Sequence, residues 1–141
     1  MILHCSYEEL RALAAGAELV LAQEETGGGQ AVAAPAGAKA QVELLLPRLT
    51  GDLSVTTLAE QRRLREAVAL ICDSLRRRLE GEVVAHDPAY EEAVNLYFEY
   101  GHALRVLDRL DRMGEQMRAM IELMTGHGPT EEAATTITFP D

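Results

Sequence analysis

The sequence contains no tryptophan, only two cysteines and a single lysine, and its hydrophobic runs are short. Cys5 and Cys72 are too few to form a disulfide framework or a zinc site built from thiolates, so neither device stabilises the fold. No apolar run approaches the roughly 18 to 20 residues that a membrane-spanning helix needs, and the first residues, MILHCSYEEL, lack the pattern of an export signal. We therefore expect a cytoplasmic protein without membrane contact.

Positive charge is also scarce, because 13 basic residues face 23 acidic ones and leave a net charge of −10 at pH 7. This balance opposes the counterion release that drives binding to phosphate backbones, so nucleic acid is not an expected partner. The acidic excess lies mainly in residues 81 to 141, whereas residues 52 to 80 are slightly positive. The preference for arginine over lysine is typical of a GC-rich genome and favours a bacterial source.

Helical periodicity and capping signals in these 141 residues, 48% of which are hydrophobic, predict one domain with four helices. Ser6 with Glu9, and later Thr57 with Glu60, have the spacing of a capping box in front of an apolar stripe. The predicted helices cover residues 7 to 25, about 40 to 48, 58 to 80, and a long final stretch that ends at residue 125.

The fourth predicted helix is far longer than the mean helix of a globular protein. Asp87 followed by Pro88 is typical of a helix start, and Gly126 of a helix end. The apolar seam of this helix shifts by one residue near Gly114, where a break is the main alternative. If the third and fourth helices form an antiparallel pair, the part beyond Met113 overhangs its neighbour and needs a cover.

The remaining segments predict a linker and short extended pieces. Residues 26 to 38 hold three consecutive glycines among small side chains and are predicted to be a flexible linker. Residues 2 to 5, 53 to 56 and 136 to 139 favour extended backbone. We therefore expect a mainly α protein: a helical bundle over residues 1 to 128 with a small edge sheet, followed by an acidic tail over residues 129 to 141 that forms a strand or a docking motif.

Motifs of catalysis or cofactor binding are not found. The glycine run lacks the lysine and hydroxyl residue of a phosphate-binding loop, and no zinc pair or dinucleotide fingerprint occurs. Cys5 precedes a helix start, which can lower a thiol pKa, but no signature ties it to a histidine and an orienting acid. The sequence therefore favours a non-enzymatic protein without a cofactor.

Two groups of side chains are predicted to bind partners: the methionines Met113, Met117, Met120 and Met124, and the arginines Arg62, Arg63, Arg76 and Arg77. Methionines at helical spacing form an adaptable groove for a partner helix or an ordinary core. The arginines form a docking site for an acidic partner or a solvated face. The aromatic residues of the fourth helix are interpreted as core and interface: Tyr90, Tyr97, Phe98 and Tyr100. The sequence thus predicts a protein-interaction module, such as an adaptor, regulator or small acidic chaperone, that pairs with another protein or with itself as a homodimer.

A metal-binding protein is the alternative hypothesis. Glu99 and His102 have the Glu-x-x-His spacing found in ferritin-like di-iron sites, where both side chains project from one helix face. Such a site needs two of these pairs and two further glutamates, so a two-fold dimer would have to supply the second pair. The other interpretation of His102 is a histidine on the helix surface or a hydrogen-bonded histidine at an interface.

Overall fold

The computed structural model describes residues 1 to 25, 37 to 85 and 90 to 141. Two short strands pair antiparallel, with Ile2 opposite Ser54 and Leu3 opposite Leu53. The described elements, in chain order, are β1 (Ile2–Leu3), α1 (Tyr7–Glu25), α2 (Ala38–Leu45), a 3-10 turn (Leu46–Arg48), β2 (Leu53–Ser54), α3 (Leu58–Val84), α4 (Tyr90–Thr125) and α5 (Glu131–Thr136). This confirms the predicted mainly α bundle with a small edge sheet. Except for Gly37 and Ala38, the predicted flexible linker lies outside the described residues, as do Asp87 and Pro88.

The antiparallel pair of α3 and α4 is the centre of the bundle. α4 runs through Gly114 without interruption, so the break considered there is not observed. A Cβ at Gly114 would come within 2.7 Å of the Gln61 side chain on α3, and Gln61 donates a 2.6 Å hydrogen bond to the carbonyl of Leu110. Gly114 therefore provides the space that lets the two helices pack closely.

α3 is longer than its sequence predicts. It was expected to end at Glu80, but it continues through Gly81 to Val84. Glu82, which lies beyond the predicted end of this helix, forms an ion pair with Arg78 one helical turn earlier, at 3.3 Å. That prediction was wrong because a single glycine costs about 1 kcal/mol in a helix, which is too little to end one.

The C-terminal segment contains a helix that the sequence analysis missed. The hydroxyl of Thr130 accepts a 3.1 Å hydrogen bond from the amide of Ala133 and caps α5. Beyond α5 the backbone is extended, and the amide of Phe139 donates a 2.7 Å hydrogen bond to the carbonyl of Thr56. Phe139 is buried in the core. The segment predicted as a strand or a docking motif thus packs against its own domain.

One hydrophobic core joins the described elements. Met113, Met117 and Ile121, in the second half of α4, are buried in the same cluster as Leu53 and Phe139. The predicted overhang is therefore partly covered within this chain. Among the described residues, no helix is long and apolar enough to cross a membrane.

An ion pair between Glu9 and Arg109 links α1 to α4. Glu9 is 7% exposed, and its two carboxylate oxygens accept hydrogen bonds of 2.6 and 2.8 Å from the guanidinium of Arg109. The same carboxylate accepts a 2.9 Å bond from the amide of Ser6, while the hydroxyl of Ser6 caps the amide of Glu9. Arg109 also donates to the carbonyl of His4, at 3.0 Å. The predicted capping box at Ser6 is confirmed, and its glutamate has a second role that the sequence did not reveal.

Replacing Arg109 with methionine removes this link and leaves a buried carboxylate without its charged partner. We expect Arg109→Met to lower the free energy of unfolding by about 2 to 3 kcal/mol. The matched control is Arg112→Met, which breaks an exposed pair with Asp108 on the same helix and is expected to cost less than about 0.5 kcal/mol. Urea unfolding of both variants measures the difference, and equal losses would contradict a structural role for Arg109.

The same pair predicts a dependence on pH. Hydrogen bonding from Arg109 lowers the pKa of Glu9 in the folded state. A glutamate in the unfolded chain has a pKa of about 4.3, so the stabilisation by Glu9 is complete above that value and is lost as the pH falls through the lower folded pKa. We expect the stability difference between wild type and Glu9→Gln to shrink when urea unfolding is repeated at pH 3 instead of pH 7. A difference that does not change with pH would contradict this assignment.

Candidate protein-interaction surface

Large hydrophobic side chains are exposed along the first half of α4. We call this group the outer stripe, and it consists of Tyr90, Val94, Tyr97, Phe98 and Leu104, which are 39 to 78% exposed. Val83 and Val84, at the end of α3, are exposed as well. The outer stripe extends over about four turns of α4.

Helical geometry places the outer stripe on the face of α4 opposite the core. Positions 90, 94, 97, 101 and 104 follow each other by four and three residues and so lie along one line of the helix. The buried residues of the same half of α4 are Leu96, Ala103 and Val106, which project to the other side. The first half of α4 is therefore apolar on two opposite faces, and among the described residues only one of these faces is packed.

The aromatic residues that were interpreted as core and interface are divided between the two faces. Tyr100 is half-buried and packs against the core, whereas Tyr90, Tyr97 and Phe98 are mostly exposed. The rings of Tyr97 and Phe98 contact each other edge to face, with centroids 5.7 Å apart. This contact orders two large side chains on a solvent-facing surface.

Gly101 lies in the middle of the outer stripe. A Cβ at this position would meet no atom of the described residues within 4 Å. A shallow groove of about 340 Å³ passes over it, with walls that include Tyr97, Leu104 and Arg105. The stripe thus has a depression at its centre and large side chains on both sides of it.

The four predicted methionines do not form one groove. Met113 and Met117 are buried in the core, whereas Met120 is 40% and Met124 is 67% exposed. The exposed pair lies near the far end of α4, together with the highly exposed Leu123. A partner-binding role for Met120 and Met124 stays a prediction.

The predicted basic surface is partly neutralised by neighbouring acids. Asp73 binds both Arg76, at 2.7 Å, and Arg77, at 2.9 Å, and Glu80 binds Arg76 at 3.1 Å. The two other arginines of this group, Arg62 and Arg63, are exposed and form no ion pair with any residue that the structure describes. Two of the four arginines predicted to bind an acidic partner, Arg76 and Arg77, are therefore already paired with acidic residues of the same helix.

Glu99 and His102 line a cleft of about 310 Å³ between α1 and α4, together with Arg11. Burial, with a contribution from Glu92, raises the pKa of Glu99, and Arg11 opposes this shift. The Nδ1 atom of His102 is buried without a hydrogen-bond partner. Within the described ranges, no group of three or more histidine, cysteine, aspartate or glutamate side chains is arranged to hold a metal ion. One chain thus offers two possible metal ligands, Glu99 and His102, next to the positive charge of Arg11.

The two thiols are placed as structural residues. Burial raises the pKa of the Cys5 thiol, although the neighbouring Arg109 acts in the opposite direction. Burial also raises the pKa of Cys72 to about 11. His4 is hydrogen-bonded to Asp52 at 2.9 Å, and the Cys5 thiol donates to the carbonyl of Leu3, at 3.8 Å. The arrangement of a thiolate with a general base is therefore not formed at Cys5.

No known protein family, curated protein or solved structure matches this chain. Its function is accordingly inferred from its own residues.

The cleft at Glu99 and His102 allows a test of the metal hypothesis. Because the guanidinium of Arg11 repels a cation and one chain supplies two ligands, we expect no stoichiometric iron, manganese or zinc in the purified protein. Elemental analysis of wild type and His102→Ala measures the content. Metal bound at one equivalent per chain or per dimer and lost in His102→Ala would support the ferritin-like alternative instead.

Proposed function

We propose that this protein is a non-enzymatic helical interaction module that binds another protein chain through the outer stripe of α4. An adaptor, a regulator or a small acidic chaperone has this property. The observation that supports the proposal is the group of five large hydrophobic side chains on the outer face of α4, which are 39 to 78% exposed. A cytoplasmic location remains part of the same proposal.

The composition of the stripe favours binding over mere exposure. Single hydrophobic residues on a surface are common, but contiguous apolar patches are rare on monomers and often mark interaction sites. Tyr97 and Phe98 provide the large rigid rings that contribute most to protein interfaces. Glu91 and Arg105 stand beside the stripe and supply the charged rim that such interfaces have.

The outer stripe is a better candidate than the two surfaces expected from the sequence. The exposed part of the methionine group is confined to Met120 and Met124, without an aromatic anchor. Arg76 and Arg77 already bind Asp73. The stripe combines length, aromatic side chains and a groove, and it therefore offers a partner more apolar area than either alternative.

Site-specific photocrosslinking in cells that express the protein natively tests this function. We expect a photoreactive phenylalanine analogue in place of Phe98 to yield one or a few discrete adducts, because a partner covers this position. The control places the same analogue at Glu66, an exposed position on α3 outside the stripe. Adducts absent at both positions, or equally diffuse at both, would contradict an interaction site on α4. The mass of a discrete adduct identifies the partner.

A further inference from the structure

No packing contact within the described part of the chain explains the glycine at position 101. Glycine in the interior of a helix costs about 1 kcal/mol relative to alanine, so packing usually accounts for it. A Cβ at Gly16 would collide with Ile71, and one at Gly114 would collide with Gln61. A Cβ at Gly81 is also unobstructed, but Gly81 lies in the last turn of α3, where the cost is smaller. Gly101 is in the interior of α4 and at the centre of the outer stripe, where open space faces it.

We propose that a second copy of this chain binds the outer stripe, with the two α4 helices antiparallel about a two-fold axis and Tyr97 of each copy packed over Gly101 of the other. This inference rests on the proposed function, since it names the partner of the same surface. The proposed dimer explains the glycine at position 101, because its missing side chain leaves a depression that receives the ring of Tyr97 from the second copy.

The spacing of the outer stripe allows Tyr97 of one copy to face Gly101 of the other in one register. When Tyr97 of one helix lies opposite Gly101 of the other, Val94 lies opposite Leu104, and both contacts occur twice because of the two-fold axis. Phe98 then lies close to the axis and faces its own counterpart. The interface thus pairs the large Tyr97 with the small Gly101, and it pairs apolar side chains at Val94–Leu104 and at Phe98.

Charge complementarity supports the same register. Glu91 and Arg105 precede and follow Phe98 by seven residues each, so they flank the stripe on the same side of the helix. In the antiparallel arrangement, Arg105 of each copy faces Glu91 of the other. Both side chains are exposed, and neither forms an ion pair with another described residue of its own chain. Two new ion pairs would therefore close the ends of the interface.

A parallel arrangement fits the stripe less well. It would place Gly101 opposite Gly101 and Tyr97 opposite Tyr97, so that one layer contains no side chain while the next contains two rings. The empty layer would lose contacts, and the opposed rings would hold the helices apart around it. The geometry thus selects the antiparallel pair.

Sedimentation equilibrium of the full-length protein tests the proposal. We expect a dimer for wild type, and for Gly101→Leu a dissociation constant that is raised by about a hundredfold or more, because the leucine occupies the place of Tyr97. Gly101→Leu leaves the fold intact, since nothing in the described chain opposes a larger side chain there. Circular dichroism and thermal unfolding verify this.

Charge reversal tests the register. Arg105→Glu and Glu91→Arg each place like charges opposite each other twice, and each is expected to weaken the dimer about tenfold or more. The double variant with both changes restores opposite charges and is expected to recover the wild-type constant within a few-fold. Arg118→Glu, further along the same helix, makes the same change of charge outside the stripe and is expected to have no effect.

Three results would overturn the inference. A wild-type protein that stays monomeric up to about 1 mM, the range of very weak association, has no self-pairing. A dimer that survives in Gly101→Leu but is lost in Met124→Ser uses the far end of α4 instead of the stripe. A charge-reversed double variant no better than the single ones excludes this register. In the first case, a discrete photocrosslink from position 98 to a different protein would leave the proposed function standing, whereas the absence of any crosslink would remove both.

Discussion

The ion pair between Glu9 and Arg109 joins α1 to α4. The first half of α4 is apolar on two opposite faces, but the helix is continuous, and the buried residues of its second half, Leu110, Met117 and Ile121, extend the inner face. Their burial and the bond from Arg109 to Glu9 stabilise the same rotation of α4 about its axis. With that rotation, Leu96 and Val106 enter the core and Tyr97 turns to solvent. The exposed stripe is thus a consequence of how α1 and α4 are joined.

Local signals in the sequence were sufficient to locate most helices. The capping box of Ser6 and Glu9 depends on residues three positions apart, and α1 begins where it predicts. The short helix α5 was not predicted, because the β-branched residues at its end and beyond it favour extended backbone. Helix starts and periodicity are local properties and can be found in a single sequence, whereas short elements depend more on their packing.

Local signals could not predict which faces of α4 pack into the core and which are exposed. Met113, Met117 and Tyr97 all have helical spacing and hydrophobic character, yet the two methionines are buried and the tyrosine is exposed. The difference arises from contacts between residues far apart in the chain, such as the hydrogen bond from Gln61 to Leu110. Tyr90, Tyr97 and Leu104 recur every seven residues in the sequence, but only the structure revealed that these three lie outside the core.

Binding of a second copy of the chain to the outer stripe brings Tyr97 of one copy next to Gly101 of the other. Isotope-filtered NMR on an equal mixture of labelled and unlabelled protein measures this contact directly, because it detects only proximities between the two copies. We expect an intermolecular Overhauser effect between the ring protons of Tyr97 in one copy and the α-protons of Gly101 in the other. No intermolecular effect at the stripe, or effects confined to Met120 and Met124, would contradict it.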